Sequence, residues 1–311
     1  MHGTCDDPDS LACKSTARRY LRCPAMVSPL LLAPLLGGAA WSLDQALGRR
    51  EQRRYPPPNR RAELGGNPMH YGLRGDWERE GPALVLDARS GEWSTHFGRT
   101  AERLGALAPV LTYDRPGLGW SPRDPTPAGP DDASVRLHRL LGAVAPDRPV
   151  ILVADGDAHH RALQFARRYP HEVVGLLLLD PGAAGVPPAS RARRGLARLG
   201  WLRWLQPHAA FPSDLEPHVT AHEARLIATL GRRPGVLHAA ALEGQAVEDP
   251  SRSAPEVPAV VVSGTPVPAE VRELLPPGTQ VESLECGARA HLAAPEAVLR
   301  AAELLLARAR A

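Results

Sequence analysis

From about residue 62 to the end of the chain, short apolar runs alternate with longer amphipathic segments. Runs of four to seven apolar residues are typical of strands that are covered on both faces. They fall at residues 83–86, 110–113, 150–153, 173–179 and 257–262, and a further strand is expected at 280–284. Helical patterns lie at 93–107, 133–144, 159–169 and 294–309. This alternation predicts an α/β domain with a mostly parallel, twisted sheet and helices on both faces.

One long stretch, residues 182–256, interrupts the alternation. Its composition is helical, and its length fits a cap inserted between two strands of a domain that spans 62–311. Within it, residues 189–206 combine arginine with tryptophan and leucine. Two interpretations stay open for this segment: a helix that lies on a membrane surface, or a cap helix whose tryptophans pack on the core.

The amino-terminal part contains an uncharged apolar run at residues 24–43. Twenty residues are just enough to cross a bilayer as a helix. The alternatives are a single-pass anchor, a signal peptide cleaved after Ala40, or a helix that packs on the domain. More cations follow the run than precede it, which favours a cytoplasmic domain over a secreted or periplasmic one. Residues 55–58, Tyr-Pro-Pro-Pro, form a stiff spacer, so 1–61 is predicted to be a separate amino-terminal segment.

Cysteine and lysine usage excludes several classes of protein. Three of the four cysteines precede the apolar run, and Cys286 is alone in the domain, which excludes a disulfide scaffold and suits a reducing compartment. A start at Met26 rather than Met1 would remove those three cysteines. Lys14 is the only lysine among 37 basic residues, a bias typical of GC-rich codon usage. Because the arginines are distributed, we expect no nucleic-acid partner. No cofactor is expected.

Two central segments carry a family resemblance. Residues 113–121, YDRPGLGWS, and residues 165–181, FARRYPHEVVGLLLLDP, resemble characteristic segments of α/β-hydrolases, and 258–264 and 295–298 resemble the family's later strand and final helix. The resemblance covers roughly residue 55 to the end and implies an α/β-hydrolase fold of the serine esterase or lipase type, with a cap over the active site. An apolar amino-terminal helix with a proline-rich spacer also occurs in some members.

The family places its nucleophile on a tight strand-to-helix turn, written G-x-S-x-G. Counting back from Phe165 in the family spacing puts this turn at residues 154–158. Its two small residues are present as Ala154 and Ala158, but the nucleophile position holds Gly156. An aspartate nucleophile at Asp155 or Asp157 remains an alternative. A turn centred on either aspartate would not, however, have small residues both two positions before it and two positions after it.

The other catalytic positions are also altered. The family histidine would fall at Ala288, seven residues before Pro295, and His291 corresponds to a second, non-catalytic loop histidine. No carboxylate directly follows the fifth strand, and Asp180 is either an alternative acid or a structural turn residue.

The position that corresponds to the family's oxyanion hole holds Asp87 and Ala88. The negative charge of Asp87 would oppose the formation of an oxyanion there. Nucleophile, histidine, acid and oxyanion hole therefore depart from the family pattern together, which predicts a degenerate triad.

Two functions remain from the sequence. The first is a membrane-anchored pseudo-hydrolase that binds a small molecule or a protein. The second is an active hydrolase that uses Asp155 or Asp157 with His291 or His159; a histidine nitrogen within hydrogen-bond reach of an aspartate would favour it. His159 and His160 point about 100° apart on a helix, so no metal site is predicted.

Overall fold

The computed structural model describes residues 38–39, 42–43, 46–51, 53–58, 60–123, 130–183, 219–243, 253–287 and 289–310. Within them, eight strands form one sheet in the order β1-β2-β4-β3-β5-β6-β7-β8. The strands are β1 (Arg60–Ala62), β2 (Met69–Arg74), β3 (Ala83–Asp87), β4 (Val110–Tyr113), β5 (Val150–Asp155), β6 (Val173–Leu179), β7 (Ala259–Ser263) and β8 (Gln280–Ser283).

The strand directions agree with the sequence pattern. From β4 to β8 every neighbouring pair is parallel, whereas β1 and β2 are joined antiparallel at one edge. The mostly parallel sheet is therefore confirmed. The apolar runs did not reveal β1 and β2, because their sequences, RRA and MHYGLR, are polar or mixed. The strand expected at 257–262 begins at Ala259, directly after Pro258, which has no N–H for a strand ladder.

The helices connect the strands in the expected positions. A short 3-10 helix at Ser94–Phe97 leads into α1. The α-helices are α1 (Gly98–Gly105), α2 (Pro130–Val144), α3 (Ala158–Arg168), α4 (Ala221–Gly231), α5 (Pro234–Glu243), α6 (Ala269–Leu274), α7 (Ala290–Ala293) and α8 (Pro295–Arg308). Helices α4 and α5 lie between β6 and β7 in the chain, inside the stretch expected to form the cap. The rest of that cap, including 189–206, falls largely outside the described residues.

Two apolar layers hold the helices on the sheet. In β5, Ile151 belongs to the layer that contains Leu305 of α8, and the next residue, Leu152, belongs to the layer that contains Leu163 of α3. This alternation follows from the two-residue period of a strand. Because both sets of side chains are buried, central strands such as β5 and β6 are apolar along most of their length, and this part of the sheet lies in the middle of the domain.

Only residues 38–39 and 42–43 of the apolar run at 24–43 are described, so the expected anchor lies largely outside the described residues. None of the helices in the described ranges is long and apolar enough to span a bilayer. Residues 46–51 and 53–54 are helical. The chain then contacts the domain where Trp120 Nε1 donates a hydrogen bond of 3.1 Å to the carbonyl oxygen of Tyr55.

Candidate functional site

The strand-to-helix turn lies where the family spacing places it. Strand β5 ends at Asp155 and α3 begins at Ala158, with Gly156 at the turn. Gly156 has φ 57°, a conformation that disfavours residues with a Cβ. Ala154 and Ala158 are fully buried against the core. The turn therefore keeps a sharp backbone geometry, with a glycine at its apex.

The side chain of Arg89, from the loop after β3, fills the space above that apex. A Cβ on Gly156 would lie 2.7 Å from Arg89 Cγ and 2.8 Å from its Nε. The guanidinium donates two hydrogen bonds to the Asp155 carboxylate, Nε to Oδ2 at 2.7 Å and Nη2 to Oδ1 at 2.9 Å. Both side chains are at most 5% exposed. A buried, bidentate ion pair thus occupies the place of a nucleophile.

His291 lies on the other side of the Asp155 carboxylate. It belongs to the short helix α7, is buried, and places Nδ1 3.4 Å from Asp155 Oδ1. Burial raises the pKa of Asp155, but His291 and Arg89 outweigh it and hold that pKa far below the ordinary value. The Asp155 carboxylate is therefore negatively charged at neutral pH, and it lies between Arg89 and His291. The position expected for the family histidine, Ala288, lies outside the described residues.

Asp180 connects the ends of three elements. Its Oδ1 accepts a hydrogen bond of 2.7 Å from the backbone N–H of Gly264, after β7, and its Oδ2 accepts one of 2.7 Å from the N–H of Ala290, at the start of α7. Burial raises the pKa of this carboxyl. Both oxygens of Asp180 thus accept from backbone donors, and Arg89 Nη2 lies 3.6 Å from its Oδ2.

The two residues at the oxyanion-hole position face two arginines. Arg115 and Arg161 both pair with the Asp87 carboxylate, Arg161 through Nε at 2.8 Å. The same two side chains donate to the carbonyl oxygen of Ala88, at 2.8 and 2.6 Å. Burial raises the pKa of Asp87, but Arg161 and Arg115 outweigh it and hold that pKa below its ordinary value. The negative charge that the sequence places here is therefore neutralised.

The ion pairs extend from this loop to the cap. Arg115 Nε donates a hydrogen bond of 2.6 Å to Oε1 of Glu243, the last residue of α5. Oε2 of Glu243 accepts a hydrogen bond of 2.9 Å from the backbone N–H of Gly91. Arg115 also donates to the carbonyl oxygens of Arg89, at 2.7 Å, and Glu92, at 3.0 Å. One arginine thus joins the loop after β3 to the described part of the cap.

A second buried pair lies beside it. Arg289 Nη2 is 2.8 Å from Glu92 Oε1. Burial raises the pKa of Glu92, but His96 and Arg289 outweigh it and lower that pKa. Burial also lowers the pKa of His96 more than Glu92 raises it. Among the described residues, a second pair of oppositely charged side chains is thus buried beside the first.

The remaining polar residues of the turn do not converge on a single point. Asp157 Oδ1 accepts a hydrogen bond of 2.9 Å from the backbone N–H of Ser90. His159 is buried and its Nδ1 lies 2.8 Å from the carbonyl oxygen of Gly156. The rings of His159 and His160 are 3.8 Å apart. Among the residues that the structure describes, no group of three or more histidine, cysteine or acidic side chains could hold a metal ion.

Sequence reasoning missed the charged residues that fill the site: Arg89, Glu92, Arg115, Arg161, Glu243 and Arg289. One signal was available, because the six residues that begin with Asp87 carry three charges directly after a buried strand. A charged loop at the carboxyl edge of a parallel sheet indicates a polar site there.

The comparisons with known proteins agree on the fold. No protein-family model and no curated protein matches the sequence. Three of the similar solved structures are an enol-lactonase from Burkholderia xenovorans LB400 (TM-score 0.65, 20% identity), an epoxide hydrolase (0.63, 16%) and a bacterial membrane phospholipase A (0.56, 19%). The match covers 80% of this chain for the enol-lactonase, 80% for the epoxide hydrolase and 90% for the phospholipase. In the same order, it covers 100%, 98% and 97% of the solved chain.

This chain therefore has the α/β-hydrolase fold, as its sequence motifs predicted. The match spans essentially the whole length of each solved structure, and the sheet and covering helices agree with it. At 16–20% identity the likeness defines the fold and leaves the chemistry to the residues of the site.

Proposed function

We propose that this protein is a pseudo-hydrolase: an α/β-hydrolase-fold protein without serine-hydrolase chemistry that binds a small molecule or a protein through its cap and the former active-site region. The observation that carries the proposal is the Arg89 side chain above Gly156, paired with Asp155. Glycine supplies no nucleophilic atom, and the Arg89 side chain occupies the position that a Cβ on Gly156 would take.

The energetics of the pair support the same conclusion. Moving Arg89 aside would leave the buried Asp155 carboxylate without its main partner, which costs about 3–5 kcal/mol for buried ion pairs. At the position where the family resemblance places the oxyanion hole, the chain carries Asp87, whose carboxylate pairs with Arg115 and Arg161 and has no hydrogen to donate to an oxyanion. Acyl transfer would thus lack both its nucleophile and its oxyanion donors.

The test is labelling of the purified protein with a fluorophosphonate probe, together with hydrolysis of a panel of short- and long-chain acyl esters. We expect no labelling and no turnover, under conditions in which an active serine hydrolase reacts with both. Turnover that is abolished by Asp157→Ala or His291→Ala would overturn the proposal.

A second candidate is a hydrolase with an aspartate nucleophile at the turn. The observation that favours it is the approach of His291 Nδ1 to 3.4 Å from Asp155 Oδ1. Against it, both oxygens of Asp155 accept hydrogen bonds from Arg89, and the residue is 1% exposed. Asp157 is the more accessible carboxylate. Equal loss of turnover in Asp157→Asn and His291→Ala would support this candidate.

We also propose that the apolar run at residues 24–43 anchors the protein in a membrane as a single span, with the domain on the cytoplasmic side. Its length and lack of charge support the proposal. The full-length chain should enter the soluble fraction only with detergent, and a variant lacking residues 24–43 should be soluble without it. A full-length chain that is freely soluble would contradict the anchor.

A further inference from the structure

Four exposed arginines lie among the helical residues 46–51 and 53–54. Arg49, Arg50, Arg53 and Arg54 are all exposed. At 100° per residue they fall within an arc of about 140°, and five helical rises of 1.5 Å place the first and last only about 8 Å apart along the axis. We call these four residues the arginine face.

The opposite side of the segment rests on the domain. The carbonyl oxygen of Tyr55 accepts a hydrogen bond from Trp120, and the Tyr55 ring lies 6.2 Å from that of His222. The Glu51 carboxylate is 4.0 Å from Nε of Arg233, with both side chains largely buried. These contacts fix the direction of the segment, so the arginine face points away from the domain.

The arginine face lacks acidic neighbours in the chain. Glu51 is the only acidic residue between positions 45 and 62, and its carboxylate is directed to Arg233 on the domain side. Two more exposed arginines follow in β1, Arg60 and Arg61, of which Arg61 is paired with Glu63 at 3.0 Å. Four guanidinium groups on neighbouring turns of one short segment form a concentrated positive potential.

We propose that the arginine face binds the phosphate groups of anionic lipids at the surface of the membrane. Guanidinium groups bind phosphate oxygens in a bidentate manner, and clusters of four or more cations next to a membrane span bind anionic headgroups. The face begins six positions after the end of the apolar run at Leu43. Its position at the membrane rests on the proposed anchor, but its preference for anionic lipid does not.

The experiment measures binding of the full-length protein to vesicles by flotation. Neutral phosphatidylcholine vesicles are compared with vesicles that also contain phosphatidylglycerol, at low and high salt. In one variant the arginine face is replaced by glutamine at all four positions. The matched control carries the same substitution at four exposed arginines elsewhere on the domain: Arg79, Arg99, Arg139 and Arg308.

When neutral and anionic vesicles compete for the protein at low salt, we expect the wild type and the control to prefer the anionic vesicles and the arginine-face variant to lose at least about tenfold of that preference. Binding to neutral vesicles should be the same for all three proteins. An equal decrease in both variants, or none in either, would overturn the proposal. The proposal would also be overturned if the full-length protein bound duplex DNA, in a gel-shift assay, more tightly than it binds the anionic vesicles.

The two membrane proposals fail separately in this assay. Binding to anionic but not neutral vesicles, lost with the arginine face, would contradict the anchor and support the lipid-binding face. Binding to both vesicle types with no preference for the anionic ones in competition would support the anchor and contradict the face.

Discussion

The side chain of Arg89 lies across the backbone of Gly156, so closely that a Cβ on the glycine would be 2.7 Å from Arg89 Cγ. The two residues are 67 positions apart in the chain and meet because β3 and β5 are adjacent, parallel strands that end at the same edge of the sheet. The glycine at the apex of the turn and the arginine that covers it therefore depend on each other.

Replacing Gly156 with serine should destabilise the protein instead of creating an esterase. The new side chain meets Arg89, and the backbone at φ 57° disfavours a Cβ. We expect a loss of about 1–3 kcal/mol in the free energy of unfolding, measured in urea, and no labelling by a fluorophosphonate. Gly142→Ser in α2 is the control, because a Cβ there meets nothing within 4 Å. A Gly156→Ser variant as stable as the wild type would contradict the described contact.

Replacing Arg89 with methionine should leave Asp155 as a buried, underpaired anion. The pair is at most 5% exposed, so we expect a loss of about 3–5 kcal/mol in the free energy of unfolding. Adding Asp155→Leu should recover much of this loss, because an apolar pair replaces both charges. Denaturant unfolding of the wild type, both single variants and the double variant measures the coupling. Additive effects of the two substitutions would show that the ion pair does not couple them.

Replacing Glu243 with glutamine should loosen the described part of the cap. The carboxylate accepts from Arg115 at 2.6 Å and from the N–H of Gly91 at 2.9 Å, and the glutamine keeps only one acceptor oxygen. The loss should be about 1–2 kcal/mol. Hydrogen exchange should become faster in α4 and α5 but not in the sheet. Glu102→Gln on α1, where the glutamate is exposed, is the control and should leave the exchange unchanged.

The free energy of unfolding should fall as the solution is acidified. The pKa of His96 is lowered in the folded protein by burial, so its contribution is lost below about pH 6.5. Asp87 and Asp155 have lowered pKa values because their cationic neighbours outweigh burial, so their stabilisation is present above about pH 4 and is lost below it. Burial raises the pKa of Asp180, which acts in the opposite direction and offsets part of the loss.

The measurement is urea unfolding at a series of pH values from neutral down to about pH 3, around the reference pKa values of histidine and aspartate. As the pH falls from neutral, we expect the free energy of unfolding to decrease gradually at first and more steeply below about pH 4. A free energy of unfolding that stays constant or rises over this range would contradict the pKa directions on which the expectation rests.

The order of the strands and helices could be predicted because each central strand is covered on both faces and must be apolar at successive positions. That requirement is local and visible in runs such as VILV at residues 150–153. Strands β1 and β2 do not meet it: β1 is an edge strand with an exposed Arg60, so its polar sequence carried no strand signal.

The sequence alone also determined where the tight turn lies, since Ala154, Gly156 and Ala158 follow the spacing of the family motif. Only the tertiary structure decided what occupies the site. Arg89, Arg115, Arg161 and Arg289 come from four separate segments, and a single sequence does not state which carboxylate each of them meets. Ion pairing requires atoms within about 4 Å, and the folding of the sheet sets those distances. For that reason the sequence shows Asp87 without its partners, whereas in the fold it is a neutralised member of a buried network.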